Sequence, residues 1–412
     1  MYLEKLSLHN YRGIRDMEIE FDRHLNVFVG DNGCGKSSII SAIGNGLFGS
    51  RVDHFVGEER NTYETLLFIY NHQIFENEEY AKFCLNFIYD DKKIEVVCSS
   101  EPDEISSTLK KQFPRVDFLD FTIFEEDRGV GLIENEPDKG ALESLRKIDP
   151  RLSVIANRNA AFNHAFDWIK KRESYEDSLF RKHILAGNSI DDFSRDAHLK
   201  FVKDAIVNIT GFLAIDFNIE RGVFEVVKEY KGKQVTLGLF QLSLGERVFI
   251  GLIAAIAYSF VLSSELNKKI DAEHLIIIDE IDLHLHPKWQ RRIVPALRET
   301  FPNCQFIITT HSPQVLSEVP AENIFSLYRD EDGDIRYDKP VRSKGLTSSE
   351  ILTEVMDVSD INDEVAATVN EIYICIENEE FDKARGILDD LESELGQIPA
   401  LIEARTVLDL SE

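Results

Sequence analysis

The stretch Gly30–Ser37, with the sequence GDNGCGKS, decides the fold because it matches the phosphate-binding pattern G-x-x-x-x-G-K-[S/T] at every fixed position. It follows Leu25–Val29, which reads as a strand, and it precedes Ser38–Ile43, which begins a helical pattern. Glycines let backbone N–H groups wrap a polyphosphate, and a helix N-terminus favours negative charge. A glycine-rich turn that merely contains a lysine would lack this context. We therefore predict that Lys36 reaches nucleotide phosphates and that Ser37 binds Mg²⁺.

The overall charge limits the kinds of partner that the chain can bind. Its 412 residues suffice for two or three structural units, and 43% hydrophobic with 29% charged residues is ordinary for a folded protein. The 74 acidic and 46 basic residues give a formal net charge of −28. Because nonspecific coating of nucleic acid needs clustered Lys and Arg, contact with DNA or RNA would require a local basic patch or a partner protein.

Cysteine usage and hydropathy predict a soluble, cytoplasmic protein without membrane contact. The five cysteines are scattered with no C-x-x-C pair, which is typical of a reducing compartment. The N-terminus enters an alternating strand and has no apolar signal-peptide segment. Val248–Leu262, the most apolar stretch, is shorter than a membrane span.

The order of predicted elements divides the chain into four parts. Strands and the phosphate loop occupy 1–137, a compact helical insertion occupies 138–211, strands return over 212–345, and an acidic helical tail occupies 346–412. This tail contains three helical patterns, and as a whole it carries 18 acidic and three basic residues.

The predicted fold class is α/β, with a mixed sheet flanked by helices, a compact helical insertion and a small all-α C-terminal extension. The apolar runs Leu275–Ile278 and Phe306–Ile308 read as buried parallel strands, and Pro287–Thr300 reads as the helix between them. A strand, a crossover helix and a second strand form a βαβ unit in a sheet covered on both faces.

Two carboxylates, Asp279 and Glu280, follow the apolar run Leu275–Ile278 directly. In open α/β sheets, ligands bind at the carboxyl ends of the strands. A strand that simply ends in a polar turn would look the same, but the phosphate loop makes that interpretation improbable. We predict that Asp279 holds Mg²⁺, directly or through water, and that Glu280 polarises the water that attacks a γ-phosphate.

A second anion site is predicted at Leu242–Glu246, where LSLGE precedes a long apolar helix. The Ser243 hydroxyl and the amides around Gly245 would lie at the N-terminus of that helix. Taken alone the pattern is weak, because Ser-x-Gly before a helix is often only an N-cap. Its position along the chain, between the phosphate loop and Asp279, favours the functional interpretation.

A histidine, His311, lies in the sequence TTHSP that follows the next buried strand. Such a histidine can hydrogen-bond a γ-phosphate, although a lone histidine is more often structural. Asp282 lies in the loop between the two buried strands, together with His284 and His286. These two histidines have no third and fourth ligand at suitable spacing, which argues against a metal site.

The four motifs, in this order, resemble the P-loop, signature, Walker B with D-loop, and switch histidine of the ABC-type ATPase heads of the RecF, SMC and OLD group. The resemblance spans about residues 1–340 and is greatest to stand-alone ATPases of bacterial anti-phage systems, such as Septu-type and retron-associated ATPases. It includes Asn10–Ile14, which matches the N-[FY]-R-[SG] opening of these heads. The signature LSLGE departs from the usual LSGGQ at Leu244 and Glu246, a variation common in the RecF and SMC branch.

The resemblance implies ATP and Mg²⁺ as cofactors, and it assigns roles to residues. The residues expected to contact the nucleotide are Arg12, Gly30, Asn32, Gly33, Gly35, Lys36, Ser37 and Ser38. Ser37 and Asp279 would bind Mg²⁺, and Gln73, the only candidate in the expected region for the Q-loop glutamine, is a further candidate ligand of the metal. Glu280 and His311 would be catalytic.

The family geometry also implies a homodimer, or a higher oligomer built from it, in which two heads sandwich two ATP molecules. Ser243 and Gly245 of one chain would complete the pocket of the other, and the D-loop residue Asp282 would face the second chain. About 205 residues separate Lys36 from the signature, so an insertion exists. It is too short and lacks the sustained heptads of a coiled coil, so we expect a compact helical insert.

Two functions remain open. The first is a nucleotide-gated sensor or scaffold in bacterial anti-phage defence that regulates a partner nuclease, such as an HNH protein, through the acidic tail. The alternative is a RecF- or SMC-like ATPase that acts directly on DNA in repair or recombination. Strong acidity weighs against this alternative, although a local basic groove could overcome it. No intrinsic nuclease is expected, because the helical tail offers no strand-borne acidic pair.

Overall fold

The computed structural model describes residues 2–55, 82–89, 92–99, 121–124, 158–267, 273–358 and 361–411. Contacts divide the chain into two units, Met1–Leu346 and Thr347–Glu412. Gln73 and the first part of the predicted insertion, up to residue 157, lie outside the described residues. The four-part division of the chain given above stays a prediction.

A six-stranded mixed sheet forms the centre of the first unit. Its strands, in spatial order, are β13 (Ile335–Asp338), β12 (Ile324–Arg329), β3 (Leu25–Gly30), β11 (Cys304–Thr309), β10 (His274–Ile278) and β6 (Phe121–Phe124). Five neighbouring strands are parallel, and β13 is antiparallel at one edge. Strands β10 and β11 are buried along their whole length, as expected for a sheet covered on both faces. The predicted α/β class and the parallel pairing of these two strands are confirmed.

A four-stranded antiparallel sheet covers the helix that follows the phosphate loop. The strands, in spatial order, are β2 (Ile14–Glu20), β1 (Tyr2–Tyr11), β4 (Lys82–Tyr89) and β5 (Lys92–Ser99). Helix α1 (Lys36–Phe55) shares one hydrophobic core with both sheets. A Cβ atom at Gly46 would lie 2.1 Å from the Leu85 side chain, so the helix approaches β4 closely. This core fixes the direction in which α1 leaves the phosphate loop.

A group of helices with a small sheet of its own forms the rest of the first unit. Its elements are α2 (Arg158–Leu185), α3 (Ala197–Thr210), β7 (Ala214–Asn218), β8 (Val223–Tyr230), β9 (Lys233–Gly238), α4 (Leu244–Asn267) and α5 (Pro287–Thr300). Helices α2 and α3 pack against α4, where Gly251 makes room for the Phe162 ring. Strands β7, β8 and β9 pair only with one another among the described residues, so the strands predicted over 212–240 do not extend the mixed sheet.

Helix α4 is apolar enough to resemble a membrane span. Among the described residues, the segment Leu244–Leu262 of this helix is long and apolar enough to cross a membrane. This segment is longer than the apolar stretch predicted from the sequence, because the helix begins at Leu244. In the structure 67% of its most apolar stretch is buried inside the protein, which is also typical of a core helix.

The second unit consists of helices. They are α7 (Ser348–Glu354), α8 (Asp363–Glu377), α9 (Phe381–Leu395) and α10 (Pro399–Ser411), after the single-turn α6 (Pro313–Leu316) of the first unit. The sequence predicted three of these helices and missed α10. The core of α8, α9 and α10 includes Ile372, Leu388 and Leu408. Arg405 of α10 forms ion pairs with Asp389 and Glu392 of α9, so a cation lies within this acidic surface.

Candidate functional site

The predicted site residues from three neighbouring strands meet at one edge of the mixed sheet. Strands β3, β11 and β10 are consecutive and parallel, so the loops that follow them begin at the same edge. These loops carry Lys36, His311 and the pair Asp279 and Glu280, respectively. Burial lowers the pKa of Lys36, and the nearby Asp279 and Glu280 carboxylates act in the opposite direction. The lysine and the two acidic residues are therefore close enough to act on one ligand.

The phosphate loop is held open by glycines in conformations that other residues rarely adopt. The backbone φ angles are 145° at Gly30, 84° at Gly33 and 94° at Gly35. A Cβ atom at Gly30 would lie 2.3 Å from the Leu327 carbonyl oxygen, so β12 permits only glycine there. Lys36 is almost fully buried, and its ammonium donates hydrogen bonds to the carbonyls of Gly30 (2.7 Å) and Asp31 (2.9 Å).

The Walker B carboxylates are positioned by the neighbouring strand. The Thr309 hydroxyl donates a hydrogen bond to Asp279 Oδ1 (2.5 Å) and accepts one from the backbone N–H of Glu280 (2.7 Å). Asp279 is only 6% exposed, whereas Glu280 is half-buried. The backbone of Glu280 has a φ of 50°, in the left-handed region that is uncommon for residues other than glycine.

The oxygen atoms at this edge suit Mg²⁺. Ser37 offers an exposed hydroxyl at the start of α1, and Asp279 offers a carboxylate at the end of β10. Hydroxyl and carboxylate oxygens are ligands for hard cations, and Mg²⁺ in nucleotide sites takes further ligands from phosphates and water. Within the described residues, no group of three or more His, Cys, Asp or Glu side chains could hold a metal by itself. These two residues therefore fit a metal that is bound together with a nucleotide.

The switch segment holds the D-loop in place. The Thr310 hydroxyl donates to Asp282 Oδ1 (2.5 Å), and the backbone N–H of His311 donates to the same oxygen (3.2 Å). Gln290 of α5 donates to the carbonyl of Asp282 (3.2 Å) and accepts from the Ser312 hydroxyl (2.9 Å). The predicted D-loop residue and the predicted switch histidine are thus directly connected.

The environment of His311 favours the neutral imidazole. Burial lowers the pKa of His311, and the positive charge of Lys36 lowers it further, while Asp282 and Asp279 oppose this change. At neutral pH the ring can therefore both donate and accept a hydrogen bond. By contrast, His286 is the N-cap of α5 and accepts a hydrogen bond from the backbone N–H of Lys288, which gives it a structural role.

The signature segment forms a capping box at the N-terminus of α4. The backbone N–H of Glu246 donates to the Ser243 hydroxyl (3.3 Å), and Glu246 Oε2 accepts from the backbone N–H of Ser243 (2.9 Å). The Ser243 hydroxyl also donates to that carboxylate (3.0 Å). Lys228 of β8 forms an ion pair with the other carboxylate oxygen. Burial alone would raise the pKa of Glu246, but these hydrogen bonds hold it below its ordinary value.

The signature and the D-loop touch within one chain. A Cβ atom at Gly245 would lie 2.2 Å from the carbonyl oxygen of His284, whose φ of 64° is in the left-handed region. Ser243 itself is exposed, and so are the neighbouring apolar side chains of Phe240 (69%) and Leu244 (55%). This surface lies open on the described part of the chain.

The opening motif lies beside the phosphate-loop helix. Arg12 occupies the two-residue turn between β1 and β2, with a φ of 53°, and its guanidinium donates to the Ser41 hydroxyl (2.9 Å). Ser41 is one helical turn after Ser37, so Arg12 lies one turn of α1 beyond the phosphate loop, on the side of the antiparallel sheet. Asn32 is exposed within the loop, and Ser38 is half-buried at the start of α1.

Three side chains near the site were missed by sequence reasoning. They are Thr309, Lys228 and Arg329. Arg329 at the end of β12 donates to the carbonyl of Gly33 in the phosphate loop (3.0 Å) and to that of Gly333 (2.8 Å). Thr309 had a usable signal, because it is a hydroxyl residue at the end of a buried strand. The pairings of Lys228 and Arg329 depend on tertiary structure and leave no local pattern.

Comparisons with known proteins agree with these motifs. A family model described as "AAA domain, putative AbiEii toxin, Type IV TA system" matches residues 25–317, more than half of the chain. The chain is 25% identical to the Retron Ec83 probable ATPase of Escherichia coli, over 86% of this chain and 76% of that protein. It is 23% identical to the Septu protein PtuA of Bacillus thuringiensis, over 92% of this chain and 91% of that protein. Of the solved structures, the SMC head domain from Thermotoga maritima is 18% identical, with a TM-score of 0.44, over 82% of this chain and 99% of that one.

Proposed function

Because this chain belongs to the family described as AAA domain, putative AbiEii toxin, Type IV TA system, and is an ABC-type ATPase of the RecF and SMC group, we propose that it binds ATP with Mg²⁺ and hydrolyses it at the site between β3, β10 and β11. One observation carries this proposal. A glycine-rich loop with a buried lysine follows β3, and a buried aspartate with a half-buried glutamate follows β10, at the same edge of the sheet with only β11 between them.

Each side chain has a defined task in this reaction. The loop amides and Lys36 neutralise the phosphate charge, which is the main requirement of phosphoryl transfer. Ser37 and Asp279 would hold Mg²⁺, which would supply positive charge to stabilise the charge that develops on the phosphate. Glu280 orients the attacking water and accepts its proton, and neutral His311 hydrogen-bonds the γ-phosphate.

We expect a mutant of Glu280 to separate nucleotide binding from hydrolysis. Glu280→Gln keeps the side-chain shape but removes the base, so turnover should fall by about 10²–10⁴-fold while ATP still binds. The measurements are phosphate release and the affinity for a fluorescent ATP analogue. Glu299→Gln, at an exposed position of α5, is the matched control. Hydrolysis by Glu280→Gln at the parent rate would remove Glu280 from this role.

ATP binding is proposed to join two chains. Ser243 and Gly245 of one chain would bind the γ-phosphate held by the other, and the exposed Phe240 and Leu244 supply apolar surface next to them. The same Glu280→Gln variant should then accumulate as an ATP-bound dimer in light-scattering measurements. A variant that stays monomeric at saturating ATP would contradict the two-chain site.

The proposed biological role is a nucleotide-gated switch in bacterial anti-phage defence that regulates a partner nuclease, such as an HNH protein. The similarity to a retron ATPase and to a Septu protein supports this role. The helical unit Thr347–Glu412, with its acidic surface, is the proposed docking element. Copurification with a nuclease encoded beside the gene, with and without ATP, tests the role. A nuclease that never binds in either condition would count against it.

The alternative, direct action on DNA, would need the basic residues of α2. Two of them are already engaged: Arg172 pairs with Asp196 (3.1 Å), and the Lys170 ammonium lies 4.9 Å from the centre of the Phe217 ring. Lys171, Arg181 and Lys182 are exposed. Fluorescence anisotropy with duplex DNA, with and without ATP, distinguishes the two roles, and salt-sensitive binding lost on mutation of these three residues would favour the alternative.

A further inference from the structure

Strand β11 ends at Thr309, and a second threonine, Thr310, follows it directly; their hydroxyl groups serve different parts of the site. Thr309 and Thr310 are both fully buried. The Thr309 hydroxyl donates to Asp279, and the Thr310 hydroxyl donates to Asp282. Two identical side chains, adjacent on one strand end, therefore contact the Walker B segment and the D-loop separately.

The Thr309 hydroxyl is both a hydrogen-bond donor and a hydrogen-bond acceptor. A threonine hydroxyl has one donor hydrogen and two acceptor lone pairs. The hydrogen goes to Asp279 Oδ1, and one lone pair accepts the backbone N–H of Glu280. The Thr309 carbonyl also accepts the backbone N–H of Ile281 (3.1 Å). Asp279, Glu280 and Ile281 are thus all hydrogen-bonded to Thr309 of the neighbouring strand.

These bonds act at a residue whose backbone has an uncommon conformation. Glu280 is held at a φ of 50°, a conformation that costs free energy for a residue with a side chain and persists only where the surroundings enforce it. The Thr309 hydroxyl provides part of that enforcement, because it accepts the N–H of Glu280 itself. At Asp279 it occupies one carboxylate oxygen, so the hydrogen bond fixes how the carboxylate is turned.

We propose that Thr309 is a positioning residue for both Walker B carboxylates, an inference that rests on the proposed ATP hydrolysis. Its hydroxyl sets the orientation of Asp279 towards the metal and keeps Glu280 in the left-handed conformation that aims its carboxylate at the attacking water. Neither of its two side-chain hydrogen bonds involves the phosphate loop. Its loss therefore slows the chemical step without weakening the hold on the nucleotide.

The test uses the full-length chain with three substitutions. Thr309→Val keeps the shape but removes the hydroxyl, Thr309→Ser keeps the hydroxyl, and Thr310→Val removes the equivalent hydroxyl one residue further on. We expect Thr309→Val to lower kcat by about 10–100-fold, as loss of a residue that orients a metal ligand does. The affinity for a fluorescent ATP analogue should not change, and Thr309→Ser should turn over near the parent rate.

The backbone conformation of Glu280 tests the inference without a measurement of ATP turnover. In a crystal structure of Thr309→Val, Glu280 should leave the left-handed region, whereas in Thr310→Val and Thr309→Ser it should keep its φ. Unchanged kcat together with an unchanged Glu280 backbone in Thr309→Val would overturn the proposal. Equal damage in Thr309→Ser would also overturn it, because the methyl group would then be the important part. If the parent chain does not hydrolyse ATP, the proposed function fails, and the Glu280 backbone still decides whether Thr309 positions it.

Discussion

The phosphate-loop half and the signature half of the site are built in different ways. Lys36, Asp279 and Thr309 are buried; Lys36 donates a hydrogen bond to the carbonyl of Gly30 in the phosphate loop, and Thr309 donates one to Asp279. Ser243 and Leu244 are exposed, and the order of their segment comes from one capping box and one ion pair. The first half is organised by the chain itself. The second half presents a formed but uncovered surface, which is the form expected of a contact that is completed by another copy.

The largest effect is expected at the organised half. Lys36→Ala removes a preorganised cation from the phosphate site, so turnover should fall by about 10²–10³-fold, the usual cost of deleting one such donor. ATP affinity, measured by titration calorimetry, should fall with it. Lys200→Ala, at an exposed lysine of α3, is the matched control. If Lys36→Ala binds ATP as well as the parent, the buried half is not the nucleotide site.

A methyl group at Gly245 should break the signature half. Because the new Cβ atom would lie 2.2 Å from the His284 carbonyl oxygen, the start of α4 and the D-loop must move apart. Overpacking of this kind costs about 1–3 kcal/mol of unfolding free energy, which chemical denaturation would measure. ATP-dependent dimer formation should be lost, while ATP binding by the single chain is retained.

Gly386 offers the matched control for this substitution. It lies inside α9 and does not have a positive φ, and a Cβ atom added there would meet no other element within 4 Å among the described residues. Gly386→Ala should raise the unfolding free energy by about 0.4–1 kcal/mol, because alanine loses less backbone entropy in a helix. Equal loss of dimer in both variants would show that the close contact of Gly245 with the D-loop is not the cause.

The ion pair between Lys228 and Glu246 should have a smaller effect. A double-mutant cycle with Lys228→Met and Glu246→Gln should give a coupling energy of about 1 kcal/mol, since the pair is partly exposed. The pKa of Glu246 is lowered in the folded chain, so this stabilisation is present above its ordinary value of 4.5 and is lost as the pH falls through the folded pKa. Thermal unfolding of the four proteins at neutral pH and at a pH below the folded pKa of Glu246, which lies under 4.5, measures both. A coupling that persists at the lower pH would contradict the electrostatic origin.

The smallest effect is expected from the protonation of His311, which should change the stability of the fold with pH. Its pKa is lowered by burial and by Lys36, so near and just below pH 6.5 the unfolded chain binds this proton more readily than the folded chain. Stability should therefore decrease as the pH is lowered below 6.5, and this decrease should be smaller in His311→Gln. Melting temperatures of both proteins across this range provide the measurement. Parallel curves would show that the pKa of His311 is not lowered in the folded chain.

Residues that end apolar strands could be placed from the sequence. Leu275–Ile278 and Phe306–Ile308 are uninterrupted apolar runs, which sheets covered on both faces produce, and the parallel arrangement brings their following residues to one edge. This geometry explains why Asp279, Glu280 and His311 could be predicted to lie near the phosphate loop.

Contacts between distant elements could not be predicted in this way. Nothing in the alternating pattern of β8 shows that Lys228 faces the start of α4. The Ser-x-x-Glu spacing at Ser243 and Glu246 is a capping-box pattern that the sequence does contain. The N-cap weighed for Ser243 is thus one half of this box, and the reciprocal role of Glu246 was missed because Glu246 was considered only as a departure from the usual signature. Helix α10 was missed because Leu401, Ala404 and Leu408, its buried residues, include only two large apolar side chains.

The thiol of Cys34 gives the phosphate loop a chemical property of its own. It is almost fully buried within the loop, and its Sγ donates a hydrogen bond to the carbonyl of Asp31 (2.8 Å). Burial raises the pKa of this thiol despite the nearby positive charge of Lys36. Oxidants and alkylating reagents attack the thiolate, so a thiol that stays protonated and covered reacts slowly. We therefore expect the phosphate loop to keep its covalent structure under oxidants that modify exposed thiols.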